Sequence, residues 1–146
     1  LSSLVGSEMC IRDRYLSEDF NNFQLTDFMF LRATGFHGPF SSKFLSSKDF
    51  EQLDSKKIKK KLLRVLKQNR TNTPDISEEV LTRFKYFIDV IFNRKTICFF
   101  LNRLISDEKN KIKFENDWSH ALNEYHEFII FSLEANECFS IILAYD

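Results

Sequence analysis

Apolar residues recur along this chain with two different periods, and the change of period divides it. Ile76, Val80, Leu81, Phe84, Phe87, Ile88, Ile91 and Phe92 return at three- and four-residue steps, one face of an α-helix. Asp75 with Glu78 three residues on predicts a capped start for this helix, and Asn93-Arg94-Lys95 predicts its end. An earlier helix is predicted over residues 55–70, with Ile58, Leu62, Val65 and Leu66 on one face and Thr71-Asn72-Thr73-Pro74 after it.

Beyond Lys95 the pattern changes. Thr96–Leu101 is β-branched, aromatic and too short for another full helix, so it reads as a strand continuing toward Leu104. After a turn at Asp107-Glu108-Lys109-Asn110, residues 111–114 alternate back with Ile112 and Phe114 on one face. Asn116 or Asp117 is placed to cap a helix carrying Trp118, Leu122 and Tyr125. Residues 128–133 and 138–145 read as a hairpin around Glu134-Ala135-Asn136-Glu137. In its second strand Phe139, Ile141, Leu143 and Tyr145 share one face, and Cys138, Ser140, Ile142 and Ala144 the other. Both faces are largely apolar, which predicts a central strand with helices on at least one side.

Upstream of these elements the periodicity is poor. A short helix is predicted over residues 26–33, followed by Gly35-Phe36-His37-Gly38-Pro39-Phe40. Gly-Pro between aromatics reads as an ordered turn whose phenylalanines tuck inward. The expected fold is therefore α+β: an antiparallel sheet of about four strands, mostly C-terminal, packed by three or four helices. Phe84, Phe87, Ile91, Ile141 and Leu143 are expected to be buried together.

Composition changes this picture first at the N-terminus. Met9-Cys10-Ile11-Arg12-Asp13 and two bases of codon 14 back-translate to ATG TGT ATA AGA GAC AG, the end of a common transposase sequencing adapter. Leu4-Val5-Gly6-Ser7-Glu8 continues the same frame upstream, and the chain does not open on methionine, as in a reading frame entering from the end of a metagenomic contig. Residues 1–14 are thus expected to be translated adapter without a fold, and residues 15–146 a single α+β domain. All 17 phenylalanines lie in that second part, which implies an aromatic-rich core. Frequent Phe, Lys, Asn and Ile also suit an AT-rich genome, so part of the aromatic signal reflects codon bias.

The net charge is zero, but its distribution is uneven. Residues 15–74 carry 11 basic and 6 acidic side chains, a net of +5, whereas residues 75–146 carry 8 and 13, a net of −5. Such a dipole steers a partner or a homo-oligomer contact without naming it. Outside the adapter, Cys98 and Cys138 lie in apolar runs and lack both metal spacing and a disulfide framework, so a reducing, cytoplasmic compartment is expected. No apolar run approaches transmembrane length, and no membrane partner is expected.

Three features bear on chemistry. His37 sits between glycines on an aromatic loop, where an imidazole titrates near neutrality and reaches a ligand, although a general base also needs an orienting group. His120 and His126 are six apart, about 120° from superposition on a helix, unlike the i, i+4 pair of a zinc helix. A His120–Glu124–His37 metal cluster needs a tertiary contact that the sequence does not supply, so neither metal nor cofactor is expected. The run Lys56-Lys57-Ile58-Lys59-Lys60-Lys61, with Arg64, Lys67 and Arg70, holds eight positive charges in fifteen residues and no acidic one. Phosphate backbones, anionic membranes and acidic proteins all attract such a helix, and a plain solvated face is the commonest outcome. Lys57, Lys60, Lys61 and Arg64 are the candidate contact residues.

No phosphate-binding loop, nucleophile elbow, Cys-x-x-Cys pair or H-E-x-x-H helix occurs, and Ser41, Ser42, Ser46 and Ser47 beside the glycine turn read as caps. The strands also lack the glycine–aromatic signature of an RNA-recognition sheet. The expectation is a small non-enzymatic protein-binding domain, an adaptor, inhibitor or immunity-like protein, recognising another protein or itself through charge-complementary surfaces. Nucleic-acid binding through the helix over residues 55–70 is the alternative. A small hydrolase-like enzyme centred on His37 comes third.

Overall fold

The run Glu124–Ser132 carries apolar side chains on both of its faces, and it lies inside an antiparallel sheet with a strand on either side. The computed structural model describes residues 36–41, 43–45, 47–68, 76–104, 122–135 and 137–145. In chain order these form β1 (Phe36–His37), β2 (Phe40–Ser41), a 3-10 turn (Ser47–Asp49) and β3 (Phe50–Leu53). Then follow α1 (Ser55–Lys67), α2 (Glu78–Phe92), β4 (Thr96–Leu101), β5 (Glu124–Ser132) and β6 (Glu137–Tyr145). Strands β3, β4, β5 and β6 pair antiparallel in that order, and β1–β2 is a separate two-stranded hairpin.

The four-stranded antiparallel sheet agrees with the sequence pattern, but its helical cover does not. Two α-helices pack it among the described residues, not three or four. The predicted helix through Trp118, Leu122 and Tyr125 cannot extend to Tyr125, which belongs to β5. There the two-residue alternation Tyr125, Glu127, Ile129, Phe131 prevails, because the strand is paired along its length with β6 and over residues 128–132 with β4. Residues 1–14, the predicted helix over 26–33 and the predicted strand over 111–114 lie outside the described residues. The fourth strand that is described is Phe50–Leu53, paired to β4 through Phe50↔Leu101 and Leu53↔Cys98. Strand β4 stops at Leu101 and does not reach Leu104.

The helices form where the apolar stripes lie. Asp54 caps α1, accepting from Lys57 N–H at 2.9 Å, and this bond holds its carboxyl below the usual range. Ile58, Leu62, Val65 and Leu66 are buried, each contributing about 1.5–3 kcal/mol on removal from water. Helix α2 is capped by Ser77, which accepts from Val80 N–H at 3.3 Å, two residues downstream of the expected Asp75. Glu78 and Glu79 then occupy its first turn, where the helix dipole favours acidic side chains.

Both helices cover one face of the sheet, packing Ile58, Leu62, Ile88 and Ile91 against Cys98, Phe100, Phe128, Ile130 and Ile141. The opposite face is covered by the hairpin and the segment behind it: Phe40, Leu45 and Phe50 pack on Phe99, Leu101, Tyr125, Ile129 and Phe131. The sheet is thus sandwiched, which is why β4 and β5 read as nearly continuous apolar runs. Strand β6 was expected at the centre. It borders the sheet instead, with Ile141 buried and most of its other side chains partly covered. Of the residues expected to cluster, Ile91 and Ile141 are buried and Phe84 and Leu143 half-buried, but Phe87 is 42% exposed at that border. Its ring still meets Phe139 edge-on, with centroids 6.2 Å apart.

The turns are tied to one another. Arg94 pairs with Glu137 at 2.8 Å and Leu133 N–H donates to Lys95 O at 3.0 Å, joining the α2–β4 turn to the β5–β6 turn. Arg103 donates to Asp49 at 2.8 Å and to Phe44 O at 3.1 Å, fastening the segment before β3 to the end of β4. Among the described residues no helix is long and apolar enough to cross a membrane.

Candidate functional site

His37 lies beneath the surface. Its Nε2 is 2.7 Å from Glu127 Oε2 on β5, and the two residues are 3% and 1% exposed. The Tyr125 hydroxyl donates to the same Glu127 oxygen at 3.1 Å. An oxygen that accepts from a phenol and faces an imidazole nitrogen this closely sits in the range of charge-assisted hydrogen bonds. Burial pushes the Tyr125 hydroxyl well above its usual value, and the adjacent Glu127 charge and hydrogen bond add to that shift.

The hairpin delivers His37 to this point. Register pairs His37 with Phe40 around Gly38-Pro39, and Gly38 has φ +56°, the positive value a two-residue hairpin turn needs at its first position. Phe40 is buried with its ring edge-on to Tyr125, and Phe50 stands edge-on to the His37 ring at 6.1 Å. The turn is therefore ordered and the Phe40 ring points inward. The imidazole is committed to fastening the hairpin to the sheet, and its engaged nitrogen lies away from solvent.

Glu127 does not stand out in the sequence, because nearby Tyr125 fits a helical spacing with Trp118 and Leu122. Read as part of a strand, it is a carboxylate on the same face as Tyr125, Ile129 and Phe131, the signature of a buried charge that requires a partner. His126 and Glu124 lie on the other face of β5 and meet at 3.1 Å, both half-buried. The helical spacing argument for His120 and His126 does not apply, since His126 is in a strand and His120 lies outside the described residues. Among the described residues no group of three His, Cys, Asp or Glu side chains is arranged to hold a metal ion.

The basic helix divides its charges. Of the four candidate contacts, Lys57 leans on Asp54 at 3.5 Å and Lys61 folds inward, its Nζ 4.0 Å from the centre of the Phe100 ring. Partial burial, and then the neighbouring Arg64, lower the Lys61 pKa. Lys59, on the flank of the helix, pairs with Asp89 of α2. Lys60 and Arg64 face solvent, and they are joined by Lys56 and Lys67, which belong to the basic run but not to the four candidate contacts. At 100° per residue these four fall within an arc of about 80° opposite the buried stripe, over roughly 16 Å of helix. None of the four is paired with a carboxylate among the described residues, whereas Arg83, Arg94 and Arg103 are each matched to one.

Comparison with family models, curated proteins and solved structures finds no match to this chain, so its own geometry carries the functional argument.

Proposed function

We propose that this chain is a non-enzymatic binding domain that docks an acidic protein surface on the outer face of α1, through Lys56, Lys60, Arg64 and Lys67. The observation that carries the reading is the unmatched cationic stripe. Like charges one turn apart cost a helix about 0.2–0.5 kcal/mol per pair, and cations in the first turn oppose the helix dipole. Lys56–Lys60 and Lys60–Arg64 are such pairs, and α1 has no acidic residue in its first turn. A partner's carboxylates would relieve both penalties. The stripe is convex and contains no Asn, Gln or aromatic side chain to read or stack a base, which favours a protein over a nucleic acid.

The test compares the full chain with a variant carrying Lys56→Glu, Lys60→Glu, Arg64→Glu and Lys67→Glu. These side chains contribute nothing to the core, so the variant is expected to fold. Tagged protein is used for capture at about 50 mM and about 500 mM salt, a range over which the screening length contracts severalfold. An acidic protein retained only at low salt, and only by the unaltered stripe, supports the proposal. Capture that survives both salt and charge reversal overturns it. Binding of duplex or single-stranded oligonucleotides that depends on the stripe, without a stripe-dependent protein, would reassign α1 to nucleic acid.

A further inference from the structure

The two borders of the sheet are built differently. Strand β3 is four residues long and presents Glu51 and Gln52 to solvent, features that discourage strand addition. Strand β6 is nine residues long, and between Glu137 and Tyr145 it carries no charged residue and no proline. Among the described residues no strand lies beyond it. A long, apolar edge with no described strand beyond it is a template for another strand.

Helix α2 supplies the second observation. On its α1 side Asp89 meets Lys59, and on the β6 side Phe87 meets Phe139. Val80 and Phe87 are exposed, although apolar, and at about 100° per residue they share the flank turned away from α1. The exposed apolar part of the helix layer therefore stands directly above the open edge of the strand layer. An isolated peptide strand could satisfy the edge but would leave Val80 and Phe87 uncovered. A second copy covers both. Two helices span four strands here, so each helix occupies about two strand spacings, roughly 9.5 Å. Continuing the sheet across a two-fold axis places α2 and its symmetry mate at about that separation, within the 8–10 Å of packed helices.

We propose that β6 is the joint of a symmetric homodimer, pairing antiparallel with β6 of a second copy to make one eight-stranded sheet, with the two α2 helices packed above it. With the axis at Ile141, Ile141 faces its own copy, Phe139 faces Leu143 and Cys138 faces Ala144. Glu137 falls opposite Tyr145, so no like charges meet. A contact about 25 Å long and two layers deep, about 20 Å, covers roughly 500 Å² on each copy, at the lower bound for stable association. An interface of that size suits a reversible rather than a permanent dimer.

Sedimentation equilibrium of the full chain over about 1–200 µM is expected to show a monomer–dimer equilibrium across that range. Val80→Arg and Ser140→Lys alter exposed side chains, and each should weaken the dimer at least tenfold while leaving cooperative melting in place. Hydrogen exchange gives a second readout: the solvent-side amides of β6 should be protected in concentrated samples and exchange freely on dilution. A monomer at every concentration overturns the proposal. So does a dimer indifferent to both substitutions, or protection of β6 that does not change on dilution, which would mean that the edge is covered from within the chain.

Discussion

The ring of Tyr125 lies directly against Gly38, so that a Cβ added at Gly38 would sit 2.6 Å from Tyr125 Cζ and 2.7 Å from its hydroxyl oxygen. Two constraints meet at this residue, a left-handed backbone and a neighbour with no room to spare. Gly38→Ala would incur about 1–2 kcal/mol for the backbone conformation and about 1–3 kcal/mol for the overlap. The expected loss is about 2–5 kcal/mol, read as a lower midpoint in urea with unchanged slope. Wild-type stability in the variant would mean that the hairpin does not rest on Tyr125.

The His37–Glu127 pair makes the second prediction. Removing one partner from a buried pair leaves the other charge or dipole uncompensated, typically at about 3–5 kcal/mol, whereas replacing both with apolar groups is often close to neutral. His37→Ala and Glu127→Ala are each expected to destabilise by that amount. The double variant His37→Phe, Glu127→Leu should recover a large part of the loss. A thermodynamic cycle on chemical unfolding, closed by the double variant His37→Ala, Glu127→Ala, measures the coupling, and additive losses would show that the 2.7 Å contact carries no specific energy.

What could be read from the sequence follows the range of the interactions involved. The α1 stripe and the β4 run are local patterns, and both elements begin where they are expected, although α1 ends at Lys67 and β4 at Leu101. Strand β3 was missed because two of its four residues, Glu51 and Gln52, are exposed, so its covered face leaves little alternation. Tyr125 was misplaced because 118, 122 and 125 fit a helical period as well as 125, 127, 129 and 131 fit a strand; pairing with β4 and β6 decides between them. Phe87 was expected in the core because helical phase tells which side of α2 is apolar, not that the sheet ends beneath it. The partner of His37 is 90 residues away, beyond any local rule. Within α1 the distinction between Lys61, turned onto Phe100, and Lys60, turned outward, depends on how the helix is seated on the sheet.

The last prediction concerns alkaline pH. Tyr125 ionises well above its usual value of 10.0 in the folded chain, because burial and the adjacent Glu127 disfavour the phenolate. An unfolded tyrosine titrates near 10, so above that pH the folded state retains a proton that the unfolded state has released. Stability from this group is complete below about pH 10 and declines as pH rises toward the folded value, by at most about 1.4 kcal/mol per pH unit. Lys61 acts in the opposite sense, since its lowered pKa lets the folded state release a proton first. Comparing the chain with Tyr125→Phe cancels that and every other shared titration. The variant should be less stable at pH 8, having lost the hydrogen bond to Glu127, and the gap should narrow between about pH 10 and 11.5 as the wild-type advantage titrates away. Urea unfolding across that range measures the difference. A gap independent of pH would mean that the Tyr125 hydroxyl ionises as easily in the folded chain as in the unfolded one, contrary to its burial beneath Gly38.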